Sequence, residues 1–100
     1  MNYQIRLLDE ARLDIKDIII WYNNVESGLG RRFYGSLKSS LDYIRKYPFN
    51  SQIVYRDIRN MLLKKFPYQV HYRVIEQDKL IIVFAITHTS RNPRVWLSGR

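Results

Sequence analysis

The spacing of apolar positions changes twice along the chain, and each change predicts a new kind of element. Tyr3-Gln4-Ile5-Arg6-Leu7 alternates, which predicts a short strand. From there Leu8, Ala11, Ile15, Ile18, Tyr22 and Val25 recur at helical spacing and define one apolar face. Glu10, Arg12, Asp14, Lys16 and Asp17 fall mostly off that face. Asp9 is placed as the N-cap, since its carboxylate can accept an orphan backbone N–H. Ile19, Ile20 and Trp21 widen the stripe beyond what one layer of packing needs. Ser27-Gly28-Leu29-Gly30 interrupts the pattern, read as a helix-start turn. Leu29, Phe33, Leu37, Leu41 and Ile44 then predict a second helix to about Tyr47, stopped by Pro48. Two helices so closely joined form an antiparallel hairpin.

After Pro48 the period falls to two. Ile53-Val54-Tyr55 and then Ile58 through Phe66 read as strand with a break near Asp57. Tyr68, Val70, Tyr72 and Val74 point one way, with Gln69, His71 and Arg73 the other. Glu76-Gln77-Asp78-Lys79 is a polar hairpin turn. Leu80 to Ile86 is apolar on both faces, which predicts a central strand covered on both sides. The predicted order is β-α-α-β-β-β: a helical hairpin on a small, mainly antiparallel sheet, an α+β fold in a single domain spanning 1–100.

A chain of 100 residues has room for one hydrophobic core, and 46% hydrophobic content with 14% aromatics is that of a globular protein. The absence of cysteine excludes a disulfide scaffold, thiolate zinc sites and thiol nucleophiles. Seventeen Lys and Arg against nine Asp and Glu give a net charge of +8, which favours an acidic or polyanionic partner. Residues 1–50 carry eight basic and six acidic side chains (+2), and residues 51–100 carry nine and three (+6). The positive layer is therefore the predicted sheet. The start runs straight into patterned sequence and the longest apolar run, Leu80 to Ile86, is too short to span a bilayer. A cytoplasmic protein without a membrane partner is expected.

Most chemical motifs are missing. Gly28-x-Gly30 continues into Arg31-Arg32-Phe33, so it is neither a dinucleotide fingerprint nor a phosphate loop. His71 and His88 have no thiolate neighbours, and no metal or other cofactor is expected. Asp9, Glu10, Asp14 and Asp17 are read as helix stabilisers favoured by the helix dipole. Three features stand out. Lys64-Lys65 at a strand end, with Arg56, Arg59 and Arg73, can contact phosphates while Tyr55, Tyr68 and Tyr72 stack on bases; alternatively the tyrosines are core and the lysines a solvated edge. His88-Thr89-Ser90-Arg91 can pair proton transfer with charge stabilisation, or His88 is a structural histidine at a strand end. Trp96 and the apolar face around Trp21 are a partner site if exposed and core if covered.

The element order, the Pro67-Tyr68-Gln69-Val70-His71-Tyr72-Arg73-Val74 strand and the exit His88-Thr89-Ser90-Arg91 together resemble the RelE/ParE toxin family. Gly28-Leu29-Gly30-Arg31-Arg32-Phe33 and Asn92-Pro93-Arg94-Val95-Trp96 are similar to its ParE-type members. The resemblance implies the toxin of a bacterial type II toxin–antitoxin pair, neutralised by a cognate antitoxin. Its target is then either DNA gyrase, for ParE-like members, or mRNA on the ribosome, for RelE-like endoribonucleases. The strand arginine that supports RNA cleavage in the family corresponds to Gln69, the strand lysines roughly to Asn60 and Leu62, and the arginine past the last strand to Thr89. Trp96, nearest the C-terminal aromatic, can stack but cannot take a proton. We therefore expect a ParE-like inhibitor, with a ribonuclease as the alternative and a non-toxic nucleic-acid-binding module as the third reading. Target or phosphate contact is assigned to Lys64, Lys65, Arg73, Arg94 and Trp96. Antitoxin contact is assigned to Trp21, Tyr55, Arg56 and Arg59, and catalysis, in a ribonuclease only, to His88 and Arg91.

Overall fold

In the computed structural model, which describes residues 3–90, the predicted helical hairpin lies on one face of a five-stranded sheet. The elements follow as β1 (Gln4–Leu7), α1 (Asp9–Val25), α2 (Leu29–Lys46), β2 (Gln52–Tyr55), β3 (Ile58–Leu62), β4 (Tyr68–Ile75) and β5 (Leu80–His88). The sheet order is β1-β5-β4-β3-β2, with β1 parallel to β5 and every other pair antiparallel. The α+β class is borne out, with one more strand than the sequence pattern separated. The break near Asp57 is a full hairpin turn, closed with Arg56 in the left-handed region (φ 52°), so Ile53-Val54-Tyr55 and Ile58 onward pair with each other.

The helices bury the faces their spacing predicts. Ala11, Ile15, Ile18 and Tyr22 of α1 and Phe33, Leu37 and Ile44 of α2 join Val70, Tyr72, Ile81, Val83 and Ile86 of the sheet in one core. Phe33 has no exposed surface and sits among Tyr22, Phe66 and Tyr68, with ring centroids 5.6–5.7 Å away. Val25, predicted on the same face, is 60% exposed because α1 runs past the edge of the core there.

Two expectations about acidic residues are corrected. Leu8, extended at ψ 158°, is the N-cap of α1, and its carbonyl accepts the Arg12 N–H at 3.0 Å. Asp9 therefore sits inside the first turn and makes no capping bond; with Glu10 it still favours the helix dipole. Asp14 has a tertiary role. β1 ends opposite Val83, leaving β5 without a strand neighbour on that side beyond that point, and the Asp14 carboxylate accepts the Ile86 N–H there at 3.0 Å. A side chain finishes the ladder that β1 is too short to complete.

β5 is hydrogen-bonded along both edges, to β1 and β4, which makes it an interior strand of the sheet. Its pairing with β4 shifts between His71 and Tyr72, whose partners are Ala85 and Val83, so Phe84 is an extra residue on β5. The turn at Glu76–Asp78 is a single 3₁₀ turn closed by Lys79 at φ 51°. Lys64 and Lys65 do not end a strand: β3 stops at Leu62, and both lysines lie in the connection to β4, with Lys65 at φ 71°. Among the described residues no helix is long and apolar enough to cross a membrane.

Candidate functional site

The helices cover one face of the sheet, which leaves its other face and its ends to carry the candidate chemistry. On that other face the register sets Asn60 opposite His71 and Gln69 opposite Thr87. These side chains form a hydrogen-bonded chain. Asn60 Nδ2 donates to Gln69 Oε1, and Gln69 Nε2 donates to Thr87 Oγ1 at 3.3 Å. His71 Nε2 lies 2.7 Å from the same hydroxyl. Gln69 and Thr87 are buried and His71 is fully so. A buried polar network of this kind is stable only while its members satisfy one another. It holds side chains in place, and its amide and hydroxyl members carry no charge.

The end of the sheet where β3 turns into β4 and β5 finishes gathers His88, Lys64 and Lys65. His88 pairs with Tyr68 across the strands, and Thr89 N–H donates to Pro67 O at 2.9 Å. Leu63 N–H donates to Tyr68 O at 2.9 Å, which folds the lysine connection back onto the same end. Ser36 of α2 fixes that connection by donating to Lys64 O at 2.8 Å. The His88 ring stands edge-on to Tyr68, 5.3 Å between centroids. Its Nδ1 accepts the Ser90 N–H at 3.1 Å, with Ser90 Oγ 3.0 Å away. A backbone amide can only donate, so Nδ1 carries the lone pair and the ring proton resides on Nε2. In this arrangement His88 presents its Nε2–H outward as a hydrogen-bond donor, suited to a phosphate contact. Burial holds the Tyr68 hydroxyl above its ordinary value, so it is not a base near neutrality.

The other assigned residues are dispersed. Arg73 lies five residues along β4 from Tyr68, about 17 Å away at strand spacing. Its guanidinium pairs with Asp57 at 3.0 Å. The structure therefore does not bring Arg73 to the lysine end. Tyr55 and Arg56 share the β2–β3 turn, with the Arg56 guanidinium 5.4 Å from the Tyr55 ring. Arg59 faces the helix side, donating to Phe49 O at 3.2 Å and Ser51 O at 2.7 Å, and it lies over the Phe49 ring. It clamps the α2–β2 loop, which Tyr72 also holds through its hydroxyl to Pro48 O at 2.8 Å. Trp21 is 57% exposed and packs edge-on against Tyr22. Tyr22 in turn touches Phe66, so Trp21 stands at the opposite end of β3 from Tyr55, Arg56 and Arg59. Arg91, Arg94 and Trp96 lie outside the described residues.

The Asn60–Gln69–Thr87–His71 network was not singled out from sequence as a unit. Alternation places Gln69 and His71 on one face, but only the strand register brings Thr87, sixteen residues from His71, between them. Among the described residues no three His, Asp or Glu side chains are grouped to hold a metal ion.

Comparison with known proteins agrees with this fold. The chromosomal ParDE toxin–antitoxin system from P. aeruginosa contains a chain of similar structure, at TM-score 0.75 and 13% identity over 86% of this chain and 95% of that one. The intact E. coli RelBE toxin–antitoxin complex gives 0.69 and 17% identity over 89% and 99%. The archaeal RelE–RelB complex from Pyrococcus horikoshii gives 0.62 and 15% over 91% and 99%. No curated protein matches in sequence. The family model for the ParE toxin of the type II toxin–antitoxin system parDE matches residues 5–93. A match across nearly the whole chain, on a fold shared with ParDE and RelBE toxins, places this protein: it belongs to the ParE toxin family, the toxin component of type II toxin–antitoxin systems.

Proposed function

We propose that this toxin arrests growth in the cytoplasm by binding a protein target such as DNA gyrase, and that it does not cut mRNA. The observation that carries this reading is Gln69. RNA cleavage through the 2′-hydroxyl needs a base, an acid and a cation beside the phosphorane, and each is worth about 10²–10⁴ in rate. The strand position where the resemblance calls for a cation is a neutral amide, buried and bound to Asn60 and Thr87. Arg73 on the same strand is neutralised by Asp57. His88 turns its lone pair to Ser90 and presents a donor outward. The positive charge of the sheet half then serves docking, to the target and to the acidic segment of an antitoxin.

The ribonuclease reading keeps one supporting observation: His88, Lys64 and Lys65 share one end of the sheet. The two readings separate on purified protein and on induced cells. We expect loss of gyrase supercoiling activity with purified toxin and intact transcripts after induction. His88→Ala should retain growth arrest, and substitution of Arg91, Arg94 and Trp96 together should abolish it. Cut transcripts in translated regions that disappear with His88→Ala overturn the reading in favour of a ribonuclease.

A further inference from the structure

A helix dipole favours acidic side chains in the first turn, and α1 follows the rule with Asp9 and Glu10. α2 does the reverse. Its first turn holds no acidic residue, and its third and fourth positions are Arg31 and Arg32, where the dipole disfavours a cation. Both arginines are exposed, and among the described residues neither has an ion-pair partner. A local preference broken at an exposed pair, with no compensation inside the chain, points to a partner outside it.

Arg32 shares a flank of α2 with Ser36, one turn on and about 6 Å away. Ser36 donates to Lys64 O at 2.8 Å, which seats the β3–β4 connection, with its exposed Lys64 and Lys65, beside Arg32. Four cations from two segments thus gather on one surface. The stretches that supply them, residues 27–41 and 58–75, hold no carboxylate. Asp42, the one acidic residue of α2, stands 3.9 Å from Arg45. The other cations of these stretches are engaged: Lys38 lies over Tyr34, Arg59 lies over Phe49, and Arg73 pairs with Asp57. Collecting like charges without a counterion is unfavourable, so the surface favours an anionic occupant.

What lies between the cations decides the chemistry of that occupant. The outward face of α2 continues with Gly35, Ser36 and Ser39, and a Cβ at Gly35 would meet nothing within 4 Å. Small polar residues offer none of the apolar anchors that a protein partner buries at its centre, whereas backbone phosphates need only cations and hydroxyls. Unpaired bases would also need rings to stack on. The nearby rings are engaged, Phe66 and Tyr68 with Tyr22 and Phe33, and Tyr34 under Lys38. The exposed Trp21 is seven residues from Asp14, on the flank of α1 that reaches β5, while α2 packs at Ile19 on the opposite flank. We infer that Arg31, Arg32, Lys64 and Lys65 form a binding site for the phosphate backbone of duplex DNA, held by charge and blind to sequence. The site goes beyond the inhibition of a protein target proposed above and does not depend on it.

The test is fluorescence anisotropy of a labelled duplex of about 20 base pairs with the full chain, in the absence of gyrase, over a range of salt. With four phosphates engaged, log K should fall against log salt at a slope of about −3.6, a loss on the order of 100-fold between about 50 and 200 mM. Arg31→Gln with Arg32→Gln, and separately Lys64→Gln with Lys65→Gln, should each bring the slope to about −1.8, while Arg31→Lys with Arg32→Lys keeps it. Arg6→Gln with Arg12→Gln removes the same charge from a cleft between β1 and the helices and should leave the slope unchanged. Four outcomes overturn the inference: no binding at low salt, equal effects of all three Gln pairs, a single strand of the same length bound as tightly, or a Glu-Ser peptide of equal charge bound as tightly. None of these readouts involves gyrase or toxicity, so failure here is distinct from failure of the inhibitor reading, which supercoiling and growth arrest decide.

Discussion

Gly30 is the sharpest place to test how the helical hairpin is held. A Cβ built there would stand 2.7 Å from Ile19 O, 2.8 Å from Asn23 Oδ1 and 2.9 Å from Asn23 Cγ. Asn23 could swing away, but Ile19 O is backbone in the middle of α1 and moves only if the helices separate. The move also breaks the bond from Gly30 N–H to Asn23 Oδ1, 2.9 Å long. Gly30→Ala gains about 1 kcal/mol of helix propensity. Against that stand overpacking of about 1–3 kcal/mol and a hydrogen bond of about 1 kcal/mol. The expected net is a loss of about 1–3 kcal/mol. Gly35, in the same helix, has no heavy atom within 4 Å of its Cβ position. Gly35→Ala should therefore stabilise by about 0.5–1 kcal/mol. Urea unfolding at a slope of about 1–3 kcal/mol/M separates the two midpoints by roughly 1 M, in opposite directions from wild type. A Gly30→Ala midpoint at or above wild type would refute the close-approach argument and leave Gly30 as a turn residue only.

Other consequences follow from the same geometry. Thr87→Val removes the hydroxyl shared by Gln69 and His71 and should cost about 1–3 kcal/mol by denaturant unfolding, whereas an exposed Thr89→Val should change little. Gln69→Arg, which restores the cation of the ribonuclease branch, places a charge at a buried site; we expect a lower melting temperature and no transcript cleavage on induction. Burial raises the hydroxyls of Tyr72, Tyr68 and Tyr22 above the ordinary value of 10.0. Each raised group binds its proton more tightly folded than unfolded, so its contribution is complete below pH 10 and is lost as pH climbs from there through the folded value. Melting temperature should thus fall above pH 10, with a shallower slope in Tyr72→Phe. Arg59→Ala frees Phe49 O and Ser51 O and should raise amide exchange across residues 49–51 without changing the core.

Local periodicity determined most of the fold. Three- and four-residue spacing at Ala11, Ile15, Ile18 and Tyr22, and again at Phe33, Leu37 and Ile44, gives helices because those side chains share one face in any helix that contains them. The double-sided apolar run at Leu80–Ile86 similarly predicts a central strand, and β5 lies inside the sheet between β1 and β4. The net charge and the Gln69 replacement were also legible, since neither depends on conformation. Tertiary structure decided what depends on register and on ends. Asp14 carries no sequence mark that it will finish the β5 ladder, seventy-two residues away, because that need arises only where β1 stops. Arg59 and Arg73 read alike in sequence, yet one clamps a loop on the helix side and the other pairs with Asp57. Strand alternation assigns a side chain to a face but not to a partner. For the same reason Arg6, Arg12 and Arg45 are three scattered positives along the chain, and only the packing of β1, α1 and α2 makes them one cleft.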